Sequence, residues 1–365
     1  MSVIKIDQLK GMAPKLSTRM LPPGSSQVAT NCVFGSGSLK PLHVPLEIIP
    51  AGDASMQVGI KASIFPYDSQ WLNWVNQDVD ACRSSVALDE WDRLYWTGDT
   101  STPVGPKMAD NSKLLGGSGP KPQAAWRLGI PKPVSAPVAA YASTPTANAL
   151  ARRYAYCYRS FCGEEGPLSD ASNIVTVDDG VGEVVITNTD TAPPTGTNIT
   201  HKLLYRSNTG SSSTVWQLVA VLAIGTASYS DTKLSSAVSE ICPSEGWIAP
   251  NIGLKGLVSH PGGFLVGFYD NVLCFSEAYL PHAWPAAYQM VVDHPIVALG
   301  IFGNTILIVT TGLPYLVTGG APSALSPPEK LERGEACIQP AKDRPLFIAL
   351  ESVSGQRITV SDVRC

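Results

Sequence analysis

Three apolar hairpins follow one another at a nearly constant interval near the end of the sequence, and this interval limits what the chain can fold into. The hairpins read FLVGFYDNVLCFS, TILIVTTGLPYLVT and LFIALESVSGQRITV, and they begin at Phe264, Thr305 and Leu346. Successive turns lie 41 and 43 residues apart, and they centre on Asp270-Asn271, Thr311-Gly312 and Ser354-Gly355. Repeats of about 40 to 50 residues made of short strands are typical of β-propellers. The interval predicts a propeller-like body, with an ordinary two-sheet sandwich as the alternative.

The composition supports an all-β fold. Hydrophobic residues make up 44% of the chain and charged residues 15%, which is a globular profile. The 32 Gly and 30 Pro fall between short runs of β-branched and aromatic residues, as they do in turn-rich β proteins. Two further hairpins, SIFPYDSQWLNWV and DRLYWTGDTSTPV, are predicted upstream, with turns at Asp68-Ser69 and Gly98-Asp99.

A separate module is predicted in the middle of the chain, because the gap between the turns at Gly98 and Asp270 is far longer than one blade needs. The stretch opens with a linker-like run rich in Gly, Pro, Ala and Ser, and a turn then follows about every ten residues, as in a small β-sandwich. Its predicted strands cover residues 154–161, 174–177, 183–187, 201–207, 215–222 and 227–230. The predicted domains are an N-terminal arm with the first strands (1–50), two propeller-like parts (51–130 and 246–365) and a sandwich insert (131–245).

Two stretches of this insert are similar to fibronectin type III domains. YAYCYRSFCGEEGPLSDASNIVTV, read as a hairpin that turns at Gly163–Pro167, resembles the closing hairpin of that family. HKLLYRSNTGSSSTVWQLVAVLAIGTASYSDT resembles its middle strands. The order is rotated, since the closing hairpin comes first. The resemblance implies a fibronectin or immunoglobulin-like sandwich inserted into the propeller-like body.

Charge and cysteine usage narrow the classes of function. The net charge is -4 and Lys and Arg do not cluster beyond pairs, so tight binding to a phosphate backbone is not expected. No run of 18 apolar residues and no signal-peptide pattern is found, so neither a membrane span nor export is expected. The eight cysteines form no C-x-x-C pair, and we expect most of them to be buried small hydrophobes. No cofactor is predicted.

The strongest catalytic candidate is the stretch LDEWDRLYW, where Asp89, Glu90 and Asp92 stand among aromatic residues. Carboxylates beside aromatic rings are what glycoside hydrolysis uses. The same spacing equally suits a solvated turn, and no hydrolase elbow, metalloprotease helix motif or phosphate-binding loop occurs in the sequence. We therefore predict no catalytic, cofactor or metal residues, and no enzymatic activity.

The stretch SEAYLPHAWP, with Pro314 to Gly319 downstream, resembles the β-propeller tail nozzle or hub proteins of short-tailed bacteriophages. MLPPGSSQVATNCVFGSGSLKPL, DRLYWTGD and WRLGIPKPVSAP agree with the same family, so the resemblance spans nearly the whole chain. It departs from the family at the end, because those proteins usually continue past the third hairpin.

This resemblance implies a structural virion protein of the phage tail, assembled in the host cytoplasm. The expected partners are further copies of the chain in a ring, as a hexamer, and the portal or adaptor and other tail proteins. Genomic DNA would pass through the lumen without specific binding. The alternative is a glycan-binding or glycan-cleaving β-propeller protein, tail-associated or bacterial, and a bacterial surface adhesin is also open.

Overall fold

The computed structural model of the chain is an all-β protein of many small, mostly antiparallel sheets, as predicted. It describes residues 10–13, 16–28, 32–35, 38–41, 56–58, 61–68, 70–75, 77–146, 149–188, 190–209, 214–238, 240–332, 348–351 and 357–360. The chain divides into two compact units, Met1–Asp53 and Ala54–Cys365.

The described residues of the first unit form two short strand pairs. A parallel pair joins β1 (Gly11–Met12) to β2 (Ser25–Ser26), with a 3-10 helix at Thr18–Met20 between them. An antiparallel hairpin follows, formed by β3 (Cys32–Gly35) and β4 (Ser38–Pro41). Among the described residues β4 pairs with no strand other than β3.

The second unit begins with a hairpin and a four-stranded sheet. The hairpin consists of β5 (Lys61–Tyr67) and β6 (Gln70–Val75). Sheet A has the order β10-β9-β8-β7 and consists of β7 (Asp80–Arg83), β8 (Leu94–Thr97), β9 (Lys107–Ala109) and β10 (Trp126–Arg127). A short helix, α1 (Asn111–Leu115), separates β9 from β10, and the side chain of Asp110 caps it by accepting from the Lys113 backbone N–H.

Eight strands follow, and two three-stranded sheets among them share one core. Their bounds are β11 (Val138–Tyr141), β12 (Leu150–Arg152), β13 (Tyr154–Ser160), β14 (Val175–Val177), β15 (Val184–Thr187), β16 (Ile199–Thr209), β17 (Thr214–Ala223) and β18 (Ser228–Asp231). The pairings are β11-β15-β18, β13-β16-β17 and β12-β14. The core lies within Ile130 to Val238 and takes the side chains of Tyr154, Tyr156 and Tyr158. All six strands predicted here are present; β11 and β12 were missed because they lie in the linker-like run.

Two more four-stranded sheets complete the second unit, together with a last hairpin. Sheet B consists of β19 (Lys255–His260), β20 (Phe264–Tyr269), β21 (Val272–Phe275) and β22 (Gln289–Val291). Sheet C consists of β23 (Ile296–Phe302), β24 (Thr305–Thr310), β25 (Tyr315–Thr318) and β26 (Glu329–Lys330). The last hairpin is β27 (Ile348–Glu351) with β28 (Arg357–Val360). Two further 3-10 helices are Ser235–Ala237 and Pro322–Ala324.

Successive sheets pack face to face, since alternate residues of one strand point to opposite faces. Leu94 and Trp96 of β8 enter a core shared with the β5-β6 hairpin, whereas Tyr95 between them enters a core shared with sheet B. In sheet B, Leu265 belongs to that second core, while Phe264 enters a third core shared with sheet C. The central strands of sheets A and B are therefore apolar on both faces. Among the described residues these sheets do not close into a barrel or a propeller.

The predicted turns of sheets B and C are confirmed, but two predicted hairpins are wrong. The strand that returns from Gly98-Asp99 begins only at Lys107, because the connecting loop folds around the Asp99 carboxylate, which accepts hydrogen bonds from the Trp96 indole and the Ser101 backbone.

The predicted hairpin over residues 152–177 is also corrected. β13 pairs with β16, and β14 pairs with β12, so the two strands belong to different sheets. The chain does return along β13, where the backbone N–H groups of Gly166, Ser169 and Ser172 donate to the three tyrosine carbonyls of β13. The donors are three residues apart in the return segment, whereas their acceptors are two residues apart in β13. This mismatch in spacing prevents a regular β-ladder.

Gly98 offers a test of the turn after β8. A Cβ atom there would lie 1.9 Å from the Asp78 carbonyl oxygen, and φ is +87°. Gly246 has nearly the same φ, +84°, but its Cβ would meet nothing within 4 Å. We expect Gly98→Ala to lower the free energy of unfolding by more than about 2 kcal/mol. Gly246→Ala pays only the backbone strain, about 1 kcal/mol. Equal losses in denaturant titrations would contradict the steric argument.

Candidate functional site

The three candidate carboxylates of the LDEWDRLYW stretch have different surroundings. Asp89 is buried, with a side chain 5% exposed, and its Oδ2 lies 2.7 Å from Nε of Arg93. Asp92 is about half exposed and pairs with Arg83, at 3.1 Å between Oδ1 and Nη1. Glu90 is exposed. The structure therefore does not bring the three together, and it gives Asp89 a partner that sequence reasoning did not identify.

Arg93 joins this stretch to the loop GEEGP. Its Nη1 donates to Oε1 of Glu164 at 2.6 Å, while its Nε holds Asp89. The side chains of Arg93 and Glu164 are 6% and 4% exposed. A guanidinium that donates to a carboxylate from each of two edges compensates the buried charges, because its N–H groups meet oxygen acceptors on both sides. This set links residues 71 positions apart in the sequence.

His282, from the stretch SEAYLPHAWP, completes the set. Its Nδ1 lies 3.7 Å from Oε1 of Glu164, beyond hydrogen-bond distance, and its ring meets Trp247 edge-on at 5.7 Å between centroids. The residue is 5% exposed, and neither ring nitrogen makes a well-formed hydrogen bond among the described residues, although the Glu165 backbone lies beside the ring. We call Asp89, Arg93, Glu164 and His282 the charged junction. It brings together three of the stretches that the sequence analysis singled out.

Hydrogen bonds within the loop that carries Glu164 fix the position of this residue. The Ser160 backbone N–H donates to the Glu164 carbonyl at 2.9 Å, and the Glu164 N–H donates to the Ser160 hydroxyl at 3.1 Å. Gly163 takes a positive φ of +79° between them. Cys162 is buried in the core that also contains Tyr95 of sheet A. The loop is thus a tight turn whose tip lies inside the core between sheets A and B.

Glu165 points elsewhere and anchors the other side of the loop. Its Oε1 accepts hydrogen bonds from the Tyr205 hydroxyl at 2.7 Å and from the Ser244 hydroxyl at 2.8 Å. Cys157 and Cys242 lie at 3.4 and 3.7 Å from the same oxygen. The two adjacent glutamates therefore hold the loop from both sides.

The junction changes the proton affinity of its members. Burial alone would raise the pKa of Asp89, but the hydrogen bonds and charge of Arg93 outweigh it, and the pKa is lowered. Burial lowers the pKa of His282; Glu164 opposes this effect and Arg93 adds to it. Burial also raises the pKa of the nearby Tyr95 hydroxyl. At neutral pH the junction is a fixed ion cluster with an uncharged imidazole beside it.

Two further buried ion pairs escaped sequence analysis. Nη1 of Arg206 lies 2.7 Å from Oδ2 of Asp231, and both side chains are fully buried in the core of β11–β18. Nζ of Lys107 lies 2.9 Å from Oδ2 of Asp99, and both are nearly or fully buried. The spacing of these residues carries no signal, because alternating polar residues on a strand normally predict the solvent face.

A cleft of about 220 Å³ borders the segment that carries His282. Its lining is mainly apolar and aromatic with two amides, and it includes Ile248, Pro250, Phe275, Trp284, Tyr288, Asn251 and Gln289. Trp284 follows His282 by two residues, so a molecule in the cleft would contact the segment that enters the charged junction.

The cysteines and possible metal ligands of the described part of the chain form no further candidate site. Six cysteines there are free; four of them are buried, including Cys157 and Cys162, which lie in different cores. No group of three metal-ligating side chains comes together among the residues described. No described helix is long and apolar enough to span a membrane.

Comparison with known proteins assigns no family: no family model matches the chain, and a search of curated proteins returns no significant match.

Proposed function

We propose that this chain is a structural virion protein of a phage tail, a nozzle, hub or connector ring that forms part of the DNA-ejection conduit. The observation that carries the proposal is the serial stack in which the β5-β6 hairpin and sheets A, B and C bury one core between each successive pair. Blades of a propeller bury their faces in this way. The stack thus supports a propeller-like body for 51–130 and 246–365, as the resemblance to tail nozzle proteins implies.

The two sheets that share a core within Ile130 to Val238 support a fibronectin-like insert at 131–245. Their tyrosine strand and the GEEGP loop are the residues on which the fibronectin resemblance rests. In this proposal the charged junction fixes the insert to the body through Glu164. A conduit under pressure needs such rigid connections between its parts.

A conduit protein also needs a surface over which DNA slides without being held. The chain has a net charge of -4 and no basic cluster, which suits a lumen that does not bind phosphate. Head-to-tail contacts between copies close into a ring when the rotation allows, and a conduit requires that closure. By resemblance the ring is a hexamer that stacks on the portal or adaptor. The proposal assigns the chain no catalysis.

Phage particles produced from the genome that encodes this chain test the proposal. We expect the protein in purified virions by mass spectrometry, and a ring of six copies below the portal by electron microscopy. Its absence from virions would overturn the proposal. Turnover of oligosaccharides that is lost in Glu90→Ala or Asp92→Ala would instead favour the glycan-cleaving alternative. These variants test catalysis more specifically than Asp89→Ala does, because Asp89 is buried against Arg93 and its removal also lowers the stability of the fold.

A further inference from the structure

His282 is buried in a way that requires explanation. A neutral imidazole carries one N–H donor and one acceptor nitrogen, and both are normally satisfied when buried. Here neither nitrogen makes a well-formed hydrogen bond among the described residues, although the Glu165 backbone lies beside the ring and Nδ1 lies 3.7 Å from the Glu164 carboxylate. A buried donor without a good acceptor costs free energy. The three segments that pack around this ring therefore do so without giving it full hydrogen bonding.

The surroundings of the ring determine how it responds to a proton. The Glu164 carboxylate and the Glu165 backbone face it from the loop after β13, the Glu165 carboxylate adds its charge from farther away, and Arg93 faces it from just before β8. Asp89 and Tyr95 lie next to Arg93 and Glu164, and the contact from the segment after Cys242 is the uncharged Trp247. The carboxylate nearest to the ring is already paired with Arg93 at 2.6 Å. A proton on His282 would therefore have to share an acceptor that is in use, within a site closed to water.

We propose that His282 is a proton-sensitive latch that releases the loop 160–166 from the segment 276–285 when the pH falls. In the docked state the ring is neutral and fits among Glu164, Arg93 and Trp247. Once the loop moves away, the ring reaches water and can take up a proton freely. Acid thus favours the undocked loop, while the core of β11–β18 and the core between sheets B and C stay intact.

The direction of the pH effect on docking, and the pH range in which it occurs, follow from the linkage between proton binding and docking. The docked ring binds its proton more weakly than an exposed histidine, whose ordinary pKa is 6.5, because burial lowers the pKa. Docking is therefore at full strength above pH 6.5 and weakens below it, by at most about tenfold per pH unit for one proton. Asp89 responds in a separate range, because its pKa is lowered from 3.8 and its contribution is lost only in stronger acid.

Hydrogen exchange of the full chain between pH 7.5 and pH 5.5, corrected for intrinsic rates, tests the latch. In the wild type we expect faster exchange in peptides that contain the Gly166 and Glu277 amides, which are hydrogen-bonded to Tyr158 and Ala283. Peptides from β16 and β24 should not change. His282→Phe should abolish the pH-dependent increase, since its ring cannot be protonated. The control His201→Phe, at an exposed position of β16, should behave as the wild type.

An increase of equal size in His282→Phe, or no local increase in the wild type, would overturn the proposal. If His282→Phe does not fold, the wild type still gives the answer through its imidazole NMR signals, since the chain has five histidines. The His282 signal is expected to titrate below pH 6.5, together with the change in exchange. A ring that titrates at or above the ordinary value would exclude the latch. The result does not depend on whether the protein belongs to a phage tail.

Discussion

Replacing Arg93 by methionine is expected to lower the free energy of unfolding by about 3 to 5 kcal/mol, the usual cost of leaving buried charges without their partner. Two carboxylates, Asp89 and Glu164, lose the guanidinium that pairs with both of them, in a site where the side chains are 4 to 6% exposed. Methionine keeps much of the length and the apolar stem, so the loss is electrostatic rather than a cavity. Chemical denaturation followed by tryptophan fluorescence measures it.

Arg83 is the matched control for Arg93. It also pairs with two aspartates, Asp68 and Asp92, at 3.4 and 3.1 Å, but its side chain is 44% exposed. Exposed pairs contribute about 0 to 1 kcal/mol because water and salt screen them. Arg83→Met should therefore have a small effect. Similar losses in the two variants would mean that the charged junction contributes no more than a surface pair.

The pH dependence of Arg93→Met provides a second check. Without the guanidinium, burial raises the pKa of Asp89 against only the remaining hydrogen bonds from Ser84 and from the backbone N–H of residue 93, so the native state of the variant binds protons more readily than that of the wild type. The difference in stability between the variant and the wild type should then shrink as the pH falls from neutral. In the wild type the pKa of Asp89 is lowered, so its contribution is lost as the pH falls below 3.8. A constant difference over this range would contradict the assignment.

The strands could be predicted because their signal is local. Short runs of apolar and aromatic residues located β13, β16, β20 and β24 to within about two residues, with large and small side chains alternating in β13 and unbroken apolar runs in β20 and β24. The linker-like run hid β11 and β12, since Ala, Ser and Pro give no apolar alternation. The pairing of β13 with β16 rather than with its neighbour β14 also escaped prediction, because register depends on which faces meet in the folded chain.

The candidate site could be predicted only in part, for the same reason. The carboxylates of LDEWDRLYW stood out by composition, but nothing near Asp89 in the sequence indicates that Arg93 also binds Glu164, 71 residues away. Lys202 and Arg206 alternate with apolar residues in β16, which normally predicts an exposed polar face. They are buried instead, because the sheet of β13, β16 and β17 is covered on both faces. Burial of a charge is a property of the assembled layers and not of one strand.

The pair of Arg206 and Asp231 carries the other large expected effect. Both side chains are fully buried, and the Tyr154 hydroxyl donates to the same Oδ2 atom at 2.9 Å. Arg206 also donates to the carbonyls of Lys233 and Leu234, so it ties β16 to the chain after β18. Arg206→Met should lower the free energy of unfolding by about 3 to 5 kcal/mol, since it leaves Asp231 buried without its cation.

The control for Arg206 is Lys132, which pairs with Asp170 at 2.7 Å with side chains 53% and 76% exposed. Lys132→Met should cost less than about 1 kcal/mol. The double variant Arg206→Met with Asp231→Leu separates the cost of an unpaired charge from the value of the pair, because it removes both ions. We expect it to be more stable than Arg206→Met alone, since a buried pair replaced by apolar groups is often neutral. A double variant that is less stable than either single one would mean that the pair itself, with its bonds to Tyr154 and the carbonyls after β18, stabilises this core.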